Sequence, residues 1–429
     1  MNFKEIINKN FLLKYFPLII FVFSPKIDVI SIPNYWQGIR LDDIIILIYL
    51  FFFIFKHKFK VYPNLINPEI FGFKWILFFP YLLISMIIGK IYLLNPQWII
   101  VIRYIEYIGL IIILSQMNLK EDKVLLIFKI YILLNFFVVL LQYFELVGGF
   151  TSRGNCDKAI NDVKSYCFDK EDITSICFFS CDLGFMKNYV LPGGFLNKRV
   201  PGITGGVWEL SVNLSICIYA LMLLEKKLYK ILPYLFLVII MLFIAQSRGI
   251  IFGFVSGAIF LLNDRKKTAV IFILSISLLL IIYFLNLFNF KQVITDRFII
   301  DYITLTKIIL GTFTGDLPLK IEILGTGLES MWYRASTWQE LLLHLKNSII
   351  LTIFGSGGSL IYTESLLIRI ISSFGILGSL IIVYFSKNLP LFLLVFILVT
   401  GLTVDLFISF KIFLFFCLLL IMLKKIKLN

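Results

Sequence analysis

Residues 231–262 read ILPYLFLVIIMLFIAQSRGIIFGFVSGAIFLL. A single charged residue, Arg248, interrupts the apolar run. A helix that crosses a bilayer needs roughly 20 mostly apolar residues, so the stretch reads as two short spans, 231–246 and 249–262, folded back at Gln246-Ser247-Arg248. Working outward from this hairpin, the same criterion marks 207–224, 124–146, 98–117, 73–93, 41–55 and 6–24 on one side. On the other side it marks 268–287, 363–385, 389–404 and 407–423. The chain is therefore expected to be all-α: a polytopic membrane protein of about 12 spans, forming a single membrane domain over residues 1–429. Several of these segments are short enough that one or two read equally well as re-entrant.

Composition points the same way. Hydrophobic residues make up 60% of the chain, charged residues 15%, and the mean hydropathy is +0.95. A soluble domain carries about 45–50% apolar and about 25% charged residues. The net charge of +14 belongs first to topology and to a preference for anionic lipid or substrate, not to nucleic acid. With the N-terminus placed inside, 19 loop lysines and arginines fall on the cytoplasmic side, against Lys26, Arg40, Lys90 and Arg248 in the short outer loops. This bias predicts both termini in the cytoplasm. The first span follows Lys4 and Lys9 with no small-residue cleavage site after it, and reads as an uncleaved signal anchor.

Two long segments, 147–206 and 288–362, lie on the outer side and carry most of the loop polarity, so function is expected there. Cys156, Cys167, Cys177 and Cys181 all fall in the first of them. An oxidising compartment permits disulfides between them, in any of three pairings; a four-thiolate zinc site is the other reading. Cys217 and Cys417 lie in spans, as packing residues. The usual signatures of soluble enzymes are missing: no Gly-x-x-x-x-Gly-Lys, no His-Glu-x-x-His, no nucleophile elbow. With only His57 and His344, a histidine-rich metal site is excluded.

What remains is a set of outer arginines and one carboxylate. Arg199 sits in Pro192-Gly193-Gly194-Phe195-Leu196-Asn197-Lys198-Arg199-Val200-Pro201-Gly202, just before a span. Its glycines permit tight turns and close approach of backbone to a ligand; the alternative is an interfacial arginine reaching to headgroups. Arg248 stands at membrane depth, where ionisable groups default to a functional reading, unless the hairpin opens it to water. Gly249, Gly253 and Gly257 follow at four-residue spacing, the geometry of close helix packing. In the second outer segment, Met331, Trp338, Leu342 and Leu345 mark one face of an interfacial amphipathic helix. Arg334 shares a surface with Trp338, and its guanidinium fork matches phosphate oxygens. Gly355-Ser356-Gly357-Gly358 reads either as an anion-binding run of N–H groups or as a plain turn. Glu364-Ser365 then opens a span, where the helix dipole favours a carboxylate. Arg369 lies one turn beyond Ser365 and could anchor Glu364. Arg103 and Glu106 are spaced to neutralise each other; Lys129, Asp405 and Lys411 take no assigned role. Three guanidinium groups exceed the need of one monophosphate and suit a pyrophosphate.

At these residues the chain resembles the O-antigen polymerase/ligase superfamily of bacterial membrane glycosyltransferases. Lys198-Arg199-Val200-Pro201-Gly202 leads into a span, and Gln246-Ser247-Arg248-Gly249 matches a Ser-Arg-Gly hairpin. Arg334-x-x-x-Trp338 lies on the second large periplasmic segment. Phe354-Gly355-Ser356-Gly357 then precedes Glu364-Ser365, nine residues, and Gly375-Ile376-Leu377-Gly378-Ser379. The ligase branch carries a histidine where this chain has Glu364, and that difference favours the polymerase (Wzy-type) branch. The resemblance implies transfer of a glycan from undecaprenyl pyrophosphate to a sugar hydroxyl of another lipid-linked repeat unit, at the periplasmic face of the inner membrane. It implies pyrophosphate binding by Arg199, Arg248 and Arg334, catalysis by Glu364 and Arg334, and support from Arg369, Trp338 and Ser365. It implies no metal and no cofactor. Its partners are the lipid-linked oligosaccharide, membrane lipid and a chain-length regulator protein, with no nucleic acid. The neighbouring expectations are a ligase joining polymer to lipid A core and, in another class, a lipid-linked glycan flippase.

Overall fold

The computed structural model describes residues 9–24, 28–31, 39–56, 78–92, 99–117, 119–144, 146–147, 177–178, 191–192, 198–225, 227–261, 300–323, 329–357, 365–387, 389–406 and 409–428. These residues are overwhelmingly helical. Four helices among them are long and apolar enough to cross a membrane: α5 (Glu121–Tyr143), α6 (Val207–Leu224), α7 (Leu228–Ala245) and, through Tyr384, α13 (Leu366–Ser386). Shorter apolar helices are α3 (Phe78–Ile91), α8 (Arg248–Leu261), α14 (Leu391–Gly401) and α15 (Phe410–Leu428). The expected span 268–287 lies outside the described residues. The all-helical expectation omitted two small ladders. Strand β1 (Asp28–Ser31) pairs antiparallel with β2 (Ile39–Arg40) and with β3 (Cys177–Phe178), and β4 (Leu191–Pro192) pairs with β5 (Lys198–Arg199).

The described chain divides into two compact units. The first holds α1 (Lys9–Phe23), α2 (Leu41–Lys56), the part of α4 (Ile99–Gln116) from Ile105 onward, α5, α6, α7 and α15. Helix α6 is its axis: every residue from Leu210 to Met222 is buried, and the helix packs against α5, α7 and α15. Aromatic side chains fill the seams. Phe128 stacks on Phe415 with centroids 5.4 Å apart, Tyr107 on Phe413 at 4.3 Å, and Phe21 meets Phe410 edge-on at 5.6 Å. Both buried serines of α6 bond within the helix, because an unmet group costs several kcal/mol without water. Ser211 Oγ donates to the Val207 carbonyl at 2.7 Å and Ser215 Oγ to that of Ser211 at 2.8 Å. Lys129 of α5 forms an ion pair with Glu225, just past the end of α6.

The second unit holds α3, the start of α4, α8 from Gly249 onward, α9 (Ile300–Thr314), α10 (Lys320–Ile323), α11 (Glu329–Asn347), α12 (Ile349–Phe354), α13 and α14. Helix α11 folds back on α9 and α10 around Ile308, Ile323 and Ala335, which Met331 and Trp332 cover. Trp332 Nε1 fixes the connection by donating to the Pro318 carbonyl at 2.7 Å. The glycine spacing on α8 serves α14. A Cβ added at Gly249 would lie 2.1 Å from Thr403 Oγ1, and one at Gly253 2.9 Å from Thr400 Cγ2.

Helix α13 is broken at Gly375, whose φ of 62° and ψ of −171° leave the helical region. The break removes partners from carbonyls on the preceding turn, and other groups supply them. Ser356 N donates to Ser372 O at 2.9 Å, and Gly357 N to Ser373 O at 2.8 Å. Ser85 Oγ also reaches Ser373 O, at 2.6 Å, and Tyr81 Oη reaches Phe374 O at 2.6 Å. Gly355 (φ 81°), Gly357 (φ 61°) and Gly375 make this seam possible, since an added Cβ would meet backbone atoms at 2.4 Å at each of them.

Candidate functional site

Arg199 is the best-defined of the expected site residues. Its backbone pairs with Leu191 across the β4–β5 ladder, and β5 packs against α7. The chain then runs through Val200, Pro201 and Gly202, all buried, into α6. Gly202 has φ +62°, and a Cβ there would lie 2.5 Å from Asn135 Oδ1. Gln142 of α5 grips its peptide groups in both directions: Gly202 N donates to Oε1 at 2.8 Å, and Nε2 donates to Gly202 O at 2.9 Å. Asn135, two turns earlier on α5, accepts from Ile203 N at 3.1 Å. Thr204 Oγ1 closes the turn on the Pro201 carbonyl at 2.7 Å. Glu209, in the first turn of α6, accepts from Gly205 N at 3.1 Å.

The N–H groups of Gly202, Ile203 and Gly205 are all taken up by side chains, so these peptide groups serve the fold and are not offered to a ligand. The anion-binding reading of Gly355-Ser356-Gly357 meets the same correction. The N–H groups of Ser356 and Gly357 hold the broken helix α13.

Arg248 opens α8, directly after the turn at Gln246, whose φ of 53° ends α7. Its side chain lies outside the described residues. Arg199 and Arg248 belong to the first unit; Arg334, Trp338, Ser365 and Arg369 belong to the second. Arg334 and Trp338 are half-buried on α11. The Nε1–H of Trp338 is buried with no hydrogen-bond acceptor among the described residues, one turn from the Arg334 guanidinium. Helices α11 and α13 meet at Leu341, Leu345 and Ile368, two turns beyond Arg334 and next to Arg369. Arg369 forms an ion pair with Asp405, so its anchor in the structure is a residue with no assigned role in the sequence. Ser365 works as a cap: its Oγ accepts from Ile368 N at 3.5 Å and donates to the Gly401 carbonyl at 3.0 Å. Glu364, Cys156, Cys167 and Cys181 lie outside the described residues, as does the side chain of Cys177.

One charged cluster escaped the sequence reading. Asp42, Asp43 and Glu106 bring carboxylate oxygens within 4.8 Å of one another. Arg40 Nη2 stands among them, 3.3 Å from Asp42, 3.6 Å from Asp43 and 3.3 Å from Glu106. Burial alone would lower the Arg40 pKa, but the three carboxylates outweigh it and hold the guanidinium charged. The position a cation would take is thus filled by Arg40, and the cluster ties the start of α2 to α4.

Compared with known protein families, with curated proteins and with solved structures, the chain matches none.

Proposed function

We propose that the protein is a polysaccharide polymerase of about 12 spans in the bacterial inner membrane, with both termini cytoplasmic. It transfers a glycan from undecaprenyl pyrophosphate to a sugar hydroxyl of a second lipid-linked repeat unit at the periplasmic face. The order of the four motifs in the sequence supports this reading. The structural observation that carries it is the pair of donors on α11: the Arg334 guanidinium and, one turn on, the buried indole N–H of Trp338. A guanidinium one helical turn from a desolvated N–H suits an oxygen-rich anion more than a sugar or an acyl chain.

The reaction asks for positioning and charge stabilisation. The acceptor hydroxyl oxygen bonds to the anomeric carbon of the donor. The bond from that carbon to the phosphate oxygen breaks, and its electron pair leaves on undecaprenyl pyrophosphate. Arg334, Arg199 and Arg248 stabilise the charge gathering there, as preorganised donors do most effectively out of water. Glu364 takes the hydroxyl proton. Arg369, its charge balanced by Asp405, plays a supporting part at the start of α13.

The break in α13 favours the transporter reading in one respect, because transporters bind cargo at discontinuous helices. Here the carbonyls before the break accept from Ser356, Gly357, Ser85 and Tyr81, which leaves them engaged in the fold. Deleting the gene separates the remaining readings. Loss of a polymerase leaves single repeat units on the lipid A core, whereas loss of a ligase leaves the core bare. Purified protein that lengthens lipid-linked repeats excludes transport as its sole activity.

A further inference from the structure

We infer that Gln142, Asn135 and Glu209 are positioning residues that fix Arg199 for pyrophosphate binding, an inference that rests on the reading of Arg199 given above. Arg199 itself stands on a strand of two residues, which cannot hold a long side chain in register alone. Three residues later the chain meets the double grip of Gln142 on Gly202. A side-chain amide that both donates to and accepts from one residue reproduces the pairing of a neighbouring strand, so α5 completes the ladder that β4 and β5 begin. Asn135 extends the grip to Ile203, and its Nδ2 is anchored on the Tyr131 carbonyl at 2.9 Å. Glu209 closes the far end at Gly205. Asn135 and Gln142 are seven residues apart and project from one face of α5. Both are fully or almost fully buried, at 0% and 2% exposure, where a polar residue without such a task is costly.

Fixing the backbone that follows Arg199, with the β4–β5 pairing at Arg199 itself, restricts the arc its guanidinium can sweep. That restriction lowers the ordering cost of binding substrate. Substitution of the grip should therefore act through Arg199. Its effect should fall on substrate affinity and vanish once Arg199 is replaced.

The test is a double-mutant cycle on the full-length protein in proteoliposomes, with lipid-linked repeat units as substrate. Gln142→Met, similar in shape but unable to hold Gly202, should raise KM about tenfold with a smaller change in kcat. In an Arg199→Lys background the same substitution should change KM by less than about twofold. Asn135→Leu repeats the test at the second grip should Gln142→Met not stay folded. Asn135→Asp retains the acceptor for Ile203 N and should rescue most of the loss. Wild-type KM in both Gln142→Met and Asn135→Leu, beside a defective Arg199→Lys, would overturn this inference alone. So would a full multiplicative effect in the double variant, the mark of a merely structural role. Wild-type kinetics in Arg199→Lys would overturn it together with the reading of Arg199.

Discussion

The two glycine-punctuated turns of this protein look alike in sequence and work in opposite senses. At Gly202, side chains from a continuous helix, α5, reach out and hold a loop. At Gly355 and Gly357, a loop reaches out and holds a discontinuous helix, α13. In the first case Gly202 faces a side-chain oxygen, 2.5 Å from where its Cβ would be. In the second, Gly355 and Gly357 face backbone, at 2.4 Å. Both turns use positive φ, and both engage the N–H groups that an anion would otherwise want. The shared cause is burial: where water is excluded, backbone groups freed by a turn or a break must be answered from within the protein. These two glycine-punctuated turns therefore point to backbone satisfaction, and in the reading proposed above the chemistry of charge falls to arginine side chains.

The difference in what each glycine faces sets an order of expected effects. Gly355→Ala would drive a methyl into the backbone of Ser373 and Gly375 at a φ of 81°. Neither obstacle can rotate away, so a loss of about 4 kcal/mol is expected, read as failure to obtain folded protein or a large fall in melting temperature in detergent. Gly202→Ala meets Asn135 Oδ1, the end of a side chain that can yield at the expense of its bond to Ile203. The expected loss is about 2 kcal/mol, with folded protein still obtained. An equal fall in both variants would erase the distinction between the two turns.

Tyr81→Phe removes a hydroxyl that donates to Phe374 O at 2.6 Å and to Phe354 O at 3.2 Å, on either side of the seam. A loss of about 1–2 kcal/mol is expected, since the break at Gly375 keeps its other bonds. An unchanged melting temperature would show that the seam does not depend on this donor. The smallest effect belongs to Gly249→Ala. Its obstacle is Thr403 Oγ1, a rotatable hydroxyl, and the gain in helix propensity partly offsets the crowding, for a net change within about 1 kcal/mol. A loss as large as that at Gly202 would mean that α8 and α14 pack with no freedom to adjust.

How much of this was legible in the sequence follows from the range of each interaction. The break at Gln246-Ser247-Arg248 was readable because a charged residue in an apolar run favours a span end, and α7 does end at Ala245, with the next helix starting at Arg248. The packing role of Gly249 and Gly253 was readable because it needs only local spacing. The partners of Arg40, Arg369 and Gly202 were not. Glu106 is 66 residues from Arg40, Asp405 36 from Arg369, and Gln142 60 from Gly202. No periodicity links a side-chain amide to a distant peptide group. The polar residues Asn135 and Gln142 inside a span were the available signal, since buried polar groups in a membrane seek partners. The break at Gly375 was hidden for another reason: glycine is common in membrane helices, and only the packed surroundings reveal which one leaves the helical region.

The central claim is that outer arginines act on a lipid-linked pyrophosphate. Its most direct test is chain elongation by purified protein in proteoliposomes supplied with lipid-linked repeat units, comparing wild type with Arg334→Ala and Arg199→Ala. The account predicts a ladder of polymer for wild type and, for both folded variants, only single repeat units and no release of undecaprenyl pyrophosphate. Polymer of normal length from both variants would contradict it.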